Sequence, residues 1–202
     1  MHKEALDEQQ ISLFSLLKLF KENFGLVGGT AMALHMGHRR SIDFDLFSNS
    51  EFDNFDIRNK ISHDYEIKHV FKDVKDEYTV IVDNVKCTFL YYPFEIDFTV
   101  DFEKVVLMPD LITLAAMKAY TLGRRAKWKD YVDLFFITRD YHSMEEIVKK
   151  ALTIFGSEFN EKIFKSQLSY FDDIDYSEEI IYMKGCEVGD EEIREALVKI
   201  SV

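Results

Sequence analysis

Apolar residues recur at helical spacing through Ile11, Leu13, Phe14, Leu16, Leu17 and Phe20, so the segment from Leu6 to Asn23 reads as one amphipathic helix with a single buried stripe. Phe24-Gly-Leu-Val is a short apolar run closed by Gly28-Gly29, and Thr30 then caps a helical stretch that ends at Gly37. The order is strand, glycine turn, helix. From Ser41 to Phe47 the period shortens. Ile42, Phe44 and Leu46 alternate with Asp43 and Asp45, as on a strand, which sends both carboxylates the same way.

Further along, Phe52 to Ser62 has the spacing of a short helix. Glu66 to Val70, Tyr78 to Val82 and Val85 to Tyr92 are strand-like runs, the last two joined by a hairpin at Asp83-Asn84. Pro109 opens a helix that the spacing of Leu111, Leu114, Ala115, Lys118 and Leu122 carries to Arg124, and a second helix runs from Lys129 to Tyr141. Beyond Ser143 the pattern is helical throughout, with helices over Met144 to Phe155, Glu158 to Tyr170 and Glu191 to Val202. The chain therefore reads as α+β: a mixed-sheet domain over residues 1–108, then a helical region over residues 109–202.

Composition narrows the function classes. With 202 residues, 47% of them hydrophobic, the chain can bury a sizeable core. The opening Met-His-Lys-Glu-Ala-Leu-Asp-Glu lacks the apolar run of a signal peptide, and no apolar stretch reaches the length of a membrane span, which predicts a cytoplasmic protein. Cys87 and Cys186 have neither zinc-ligand nor disulfide spacing and read as packed thiols. A net charge of -12 argues against nonspecific adherence to DNA through a broadly basic surface. Acids crowd the chain after Phe171, but His38-Arg39-Arg40 and the stretch from Lys118 to Lys129 are basic islands suited to a local phosphate site.

Two aspartates one residue apart on a strand are hard oxygen donors of the kind that holds magnesium or manganese, and no Cys or His cluster competes for a softer metal. Alone, such a pair most often marks the wet face of a strand. Gly28-Gly29 at the start of a helix changes the balance, because backbone amides there approach phosphate oxygens and the helix end carries positive potential. Thr30 and Ser41 add hydroxyls. Arg39 and Arg40 are suited to contact triphosphate or an acceptor, unless one of them pairs with a surface acid. His35, His63 and His69 show no nucleophile or metal arrangement.

The segment Leu26-Val-Gly-Gly-Thr-Ala through Arg39-Arg-Ser-Ile-Asp-Phe-Asp-Leu resembles the first motif of the AbiEii/AbiGii-type toxin nucleotidyltransferases, within the DNA-polymerase-β-like superfamily. Met117-Lys118 through Gly123-Arg-Arg-Ala-Lys-Trp-Lys-Asp-Tyr-Val-Asp-Leu resembles their later motif. The resemblance implies a polymerase-β-like core and NTP-dependent nucleotidyl transfer with release of pyrophosphate. It assigns Asp43 and Asp45 to the metal, Mg2+ or Mn2+, and Gly28, Gly29, Thr30, Arg40 and Ser41 to the nucleotide. Lys118 goes to the triphosphate, Asp130 to a polar catalytic role, and Arg125 and Lys129 fall on the family's basic positions. It further implies a toxin of a toxin–antitoxin or phage-defence pair, with an antitoxin protein as partner and RNA, such as the tRNA acceptor end, as acceptor.

Two features pull elsewhere. Many enzymes of that superfamily carry a third carboxylate on a later strand, where this chain presents Thr88; Asp97 or Asp101 would have to substitute. That gap, with the acidic C-terminal region, fits a noncatalytic nucleotide- or partner-binding module. Asp43-Phe-Asp45 also fits the metal motif of a glycosyltransferase that uses nucleotide sugars, although such enzymes need no Gly-Gly turn before it. Read without the resemblance, Lys118 is a surface lysine and Asp133 an exposed or helix-pairing acid.

Overall fold

The computed structural model describes residues 1–122 and 124–201. Gly123, inside the expected helix from Pro109 to Arg124, and Val202, at the end of the last expected helix, lie outside the described residues. The chain forms two compact units. One comprises Met1–His35 with Ser41–Asp110, the other Met36–Arg40 with Leu111–Val202.

The first unit is built on a seven-stranded mixed sheet. Its strands are β1 (Gly25–Val27), β2 (Phe44–Ser48), β3 (Ile67–Val74), β4 (Glu77–Val82), β5 (Val85–Tyr91), β6 (Val100–Phe102) and β7 (Val106–Met108), in the order β3-β4-β5-β2-β1-β7-β6. β2 runs parallel to β5 and β1 parallel to β7, while the other pairs are antiparallel. The expected hairpin is present at Asp83, whose φ of 53° lies in the left-handed region tolerated by Asp and Asn. β6 and β7, three residues each, were too short to show a period in the sequence.

Alternation on β2 decides what the sheet buries. Phe44 and Leu46 lie opposite Cys87 and Phe89 of β5, and all four are at most 1% exposed. The Phe89 ring meets Phe20 and Phe24 at centroid distances of 4.8 and 5.3 Å. Phe20 ends a helical lead-in that differs from expectation: the single helix foreseen from Leu6 to Asn23 is two, α1 (Glu8–Ser12) and α2 (Phe14–Phe20). Asp7 and Gln10 form a reciprocal capping box that starts α1, and at fully buried Leu13 the backbone leaves the helical region with ψ near 6°. Helices α3 (Gly28–Met36) and α4 (Asn54–Ser62) follow β1 and β2.

The second unit is helical: α5 (Leu111–Leu122), α6 (Trp128–Asp140), α7 (Met144–Phe155), α8 (Glu161–Leu168) and α9 (Asp190–Ile200). α5 packs on α7 and α6 on α9. Ser143 and Glu146 cap α7 reciprocally, and Arg194 of α9 lies over the rings of Trp128, Phe171 and Tyr176 at 5.5 to 5.9 Å. The chain beyond Ser143 is not helical throughout. Residues 169–189 form an irregular strap that uses its backbone bonds elsewhere: Asp175 pairs with Ala126 and Trp128, Ile181 with Arg40 and Met183 with His38. Among the described residues no helix is long and apolar enough to cross a membrane.

Because Phe89 is fully enclosed by aromatic neighbours, Phe89→Ala is expected to cost about 3–5 kcal/mol of stability, read as a lower urea midpoint without a change in far-UV spectrum.

Candidate functional site

In the first unit the polar side of the sheet carries the acids. Asp45 stands in β2 between Val27 of β1 and Thr88 of β5, and Asp43 precedes the strand by one residue. Thr88 and Lys86 alternate on β5, and Lys86 Nζ comes within 3.9 Å of Asp43 Oδ2. Both carboxylates thus project from one side. Thr88 sits directly beside Asp45, where the superfamily's third carboxylate was sought. Neither proposed substitute is near in the sheet order: Asp101 lies on edge strand β6 and accepts from the Lys104 amide, and Asp97 is exposed ahead of that strand.

Gly28 explains why a glycine must follow β1. Its φ is +70°, and a Cβ there would stand 2.3 Å from Asp45 Oδ2. Gly28 and Gly29 are the first residues of α3, so their amides belong to the helix end that has no intrahelical acceptor. Thr30 is differently employed. Its buried hydroxyl bonds the Asp43 carbonyl and lies 2.9 Å from Ser41 Oγ, so Thr30 and Ser41 together fix the backbone that presents Asp43.

Two carboxylates and a neighbouring hydroxyl are a donor set fit for magnesium, which keeps waters and substrate phosphates as its remaining ligands. Among the described residues there is no cluster of three or more His, Cys, Asp or Glu to make an all-protein cage. The pair fits a metal that is shared with a phosphorylated substrate.

The second unit holds a buried ionic cluster. Asp133, fully buried, receives Arg39 Nε at 2.7 Å and Nη2 at 2.8 Å, His38 Nε2 at 2.8 Å, and Lys118 Nζ at 3.0 Å. Lys118 also donates to Asp130 Oδ1 at 2.7 Å, and the other Asp130 oxygen lies 3.3 Å from Nε of half-exposed Arg125. Burial would raise the Asp133 carboxyl, but Arg39, Lys118 and His38 hold it well below the usual range. Burial would likewise lower Lys118, yet Asp130 and Asp133 raise it. Burial does prevail at His38 and lowers its pKa, so the neutral ring donates through Nε2 and leaves Nδ1 buried without a partner.

Several expectations change here. Lys118 is 6% exposed and Asp133 is not exposed at all, so neither is the surface group that the sequence without the resemblance suggests. Arg39 is 3% exposed and spends its fork on Asp133, so it neither meets a surface acid nor remains for phosphate. Arg40 is the exposed one of the two. Lys129 pairs, with Lys127, to Glu178 of the strap. Within one unit the structure gathers Gly28, Thr30, Ser41, Asp43 and Asp45, and within the other Lys118, Arg125 and Asp130. Sequence reasoning missed Lys86 and the bond between His38-Arg39 and Asp133. The available signals were a charge alternating with Thr88 on one strand and a second acid one helical turn after Asp130.

Comparison with known proteins identifies the family and the fold. The model of the AbiEii nucleotidyl transferase toxin family, of type IV toxin–antitoxin systems, matches residues 12–195. A protein of Aquifex aeolicus (strain VF5) is 30% identical over 175 residues, 82% of either chain. Among solved structures, JHP933 from Helicobacter pylori is similar over 97% of this chain and 91% of its own, at 18% identity and TM-score 0.59. MenT4, a nucleotidyltransferase toxin from Mycobacterium tuberculosis H37Rv, is similar over 95% of this chain and 80% of its own, at 13% identity and TM-score 0.60. At those identities the structural likeness establishes the fold, a polymerase-β-like nucleotidyltransferase core with a mixed sheet and helices.

Two outcomes follow from the local geometry. Gly28→Ala is expected to lose at least about 1–2 kcal/mol through its left-handed backbone and to push Asp45 aside, visible as a lower melting temperature. Glu178 is the other. Burial would raise its carboxyl, but Lys127 and Lys129 pull it from 4.5 down to about 2. A lowered acid stabilises above its unfolded value and loses that contribution as pH falls through the folded one. Melting temperatures of the wild type and Glu178→Gln should therefore differ near neutral pH, converge between 4.5 and about 2, and coincide below.

Proposed function

Because this chain belongs to the AbiEii family of nucleotidyl transferase toxins, we propose that it moves a nucleotidyl group from a nucleoside triphosphate to an RNA acceptor, with Asp43 and Asp45 as its metal ligands. Family membership makes it a nucleotidyltransferase toxin and disposes of the glycosyltransferase reading. The observation that carries the site assignment is the packing of Gly28 on the Asp45 carboxylate. It puts the first amides of α3 beside Asp45, which supports a reading in which phosphate and metal bind side by side.

When bound, a divalent ion at Asp43 and Asp45 neutralises phosphate charge and polarises the reacting phosphorus. The chain's own groups do the rest by position and charge. Amides of Gly28 and Gly29 receive phosphate oxygens, Thr30 and Ser41 fix the Asp43 backbone, and exposed Arg40 offers a further phosphate contact. In the second unit Lys118, Arg125 and Lys129 are the triphosphate contacts, and Asp130 holds Lys118. An acceptor oxygen forms its bond to the α-phosphorus as the bond to pyrophosphate breaks, and pyrophosphate carries away the displaced charge. Such a toxin acts in the cytoplasm and is answered by an antitoxin partner.

The test is incubation with each labelled triphosphate, magnesium and total RNA. Wild-type protein is expected to label RNA, and Asp43→Ala/Asp45→Ala to lose more than about 100-fold of that rate. Equal labelling by the two would sink the metal assignment. Nucleotide binding by the wild type without transfer to any RNA would instead leave a noncatalytic nucleotide-binding module.

A further inference from the structure

We infer that Asp133 is a positioning residue for Lys118: it aims the ammonium at phosphate without cancelling its charge, and never meets substrate itself. The inference rests on the triphosphate reading of Lys118 proposed above. It starts from the three hydrogens of the ammonium. One is donated to Asp130 Oδ1 at 2.7 Å, and Asp133 Oδ2 stands 3.0 Å from the nitrogen as its second ion-pair partner. Two fixed carboxylate oxygens beside a tetrahedral nitrogen hold it in place and narrow the directions left to its free hydrogens. A lysine with one partner swings about that partner on a flexible stem, and a second acceptor removes the freedom.

The two acceptors are not equivalent. Asp133 is gripped on both oxygens by the buried Arg39 fork and takes another bond from His38, so it cannot rotate. Asp130 has its second oxygen on half-exposed Arg125 at 3.3 Å, a contact that can yield to an arriving anion. Asp133 is the rigid reference and Asp130 the adjustable one. Arg39 then has a definite purpose. Its charge, held on Asp133, cancels that of the carboxylate as felt by Lys118, so Asp133 directs the ammonium while leaving it attractive to phosphate. His38, neutral, adds a bond to Asp133 without altering this balance.

A double-mutant cycle separates positioning from scaffolding. Single-turnover transfer is measured with the labelled triphosphate and RNA fraction that the wild type labels, for wild type, Lys118→Ala, Asp133→Asn and the double variant, each normalised to the folded fraction from near-UV circular dichroism. Asp133→Asn is expected to lower kcat/KM about 100-fold, mostly in kcat, in the wild-type background, and less than about 2-fold when Lys118 is already Ala. If Asp133→Asn does not fold, Arg39→Lys, which keeps the charge and loses the fork, takes its place in the same cycle. Equal losses in the two backgrounds, or no loss in the wild-type background, overturn the inference. Wild-type rates in Lys118→Ala would instead overturn the triphosphate reading, and a crippled Lys118→Ala beside an undisturbed Asp133→Asn overturns positioning alone.

Discussion

A carboxylate with no access to water has to be neutralised from within, and Asp133 imposes that demand on the whole second unit. Desolvating such a group costs several kcal/mol, which only close, well-aligned donors repay. The chain meets the demand with Arg39, Lys118 and His38, two of which lie nearly a hundred residues away in sequence. This is why Met36–Arg40 belongs to the helical unit although the residues on either side belong to the first unit. The strap completes the arrangement, since Ile181 and Met183 take the backbone bonds of Arg40 and His38 and hold that short segment against it. Removing Arg39 or Lys118 strands charge in the interior, at a cost of about 3–5 kcal/mol.

The sheet solves a different problem. β2 lies between β5 and β1 and is buried on one side by Phe44, Leu46 and their partners, so the alternate positions are forced outward whatever they are. Acids placed there cost nothing in packing. What they cost is room: Gly28 gives up its side chain and adopts a left-handed backbone so that Asp45 fits beside the start of α3. Glycine, strand and helix end are therefore one device, each element meaningful because of the other two.

Much of this was legible in the chain. The period change at Ser41 located β2, the Gly-Gly turn located the start of α3, and the register put Thr88 beside Asp45, a position that the resemblance to the superfamily had singled out. Where the sequence misled, the cause was long-range. A lysine and an aspartate on amphipathic helices look like surface groups until a distant arginine is known to bury with them, and nothing at Arg39 distinguishes it from exposed Arg40. Short β6 and β7 left no period to read, and the break at Leu13 lies inside an unbroken apolar stripe. The strap, polar and acidic, has no periodicity because its backbone bonds go to other segments.

The net charge of -12 takes on a different meaning in this light. Each basic residue of the later motif is already held by an acid: Lys118 by Asp130 and Asp133, Arg124 by Glu158, Arg125 by Asp130, and Lys127 and Lys129 by Glu178. The acids differ in how firmly they hold. Asp130 and Asp133 are buried and cannot be displaced by water or salt, whereas Glu178 is 41% exposed and Arg125 52% exposed, so their pairs exchange readily. On the proposed reading, an incoming triphosphate competes for the outer cations only and finds the inner one already oriented. A broadly basic surface would bind any polyanion; cations individually screened by acids yield only to a ligand that offers several charges at matching positions. The acidity that excludes nonspecific nucleic-acid binding is, at these residues, a source of selectivity for the phosphate that fits.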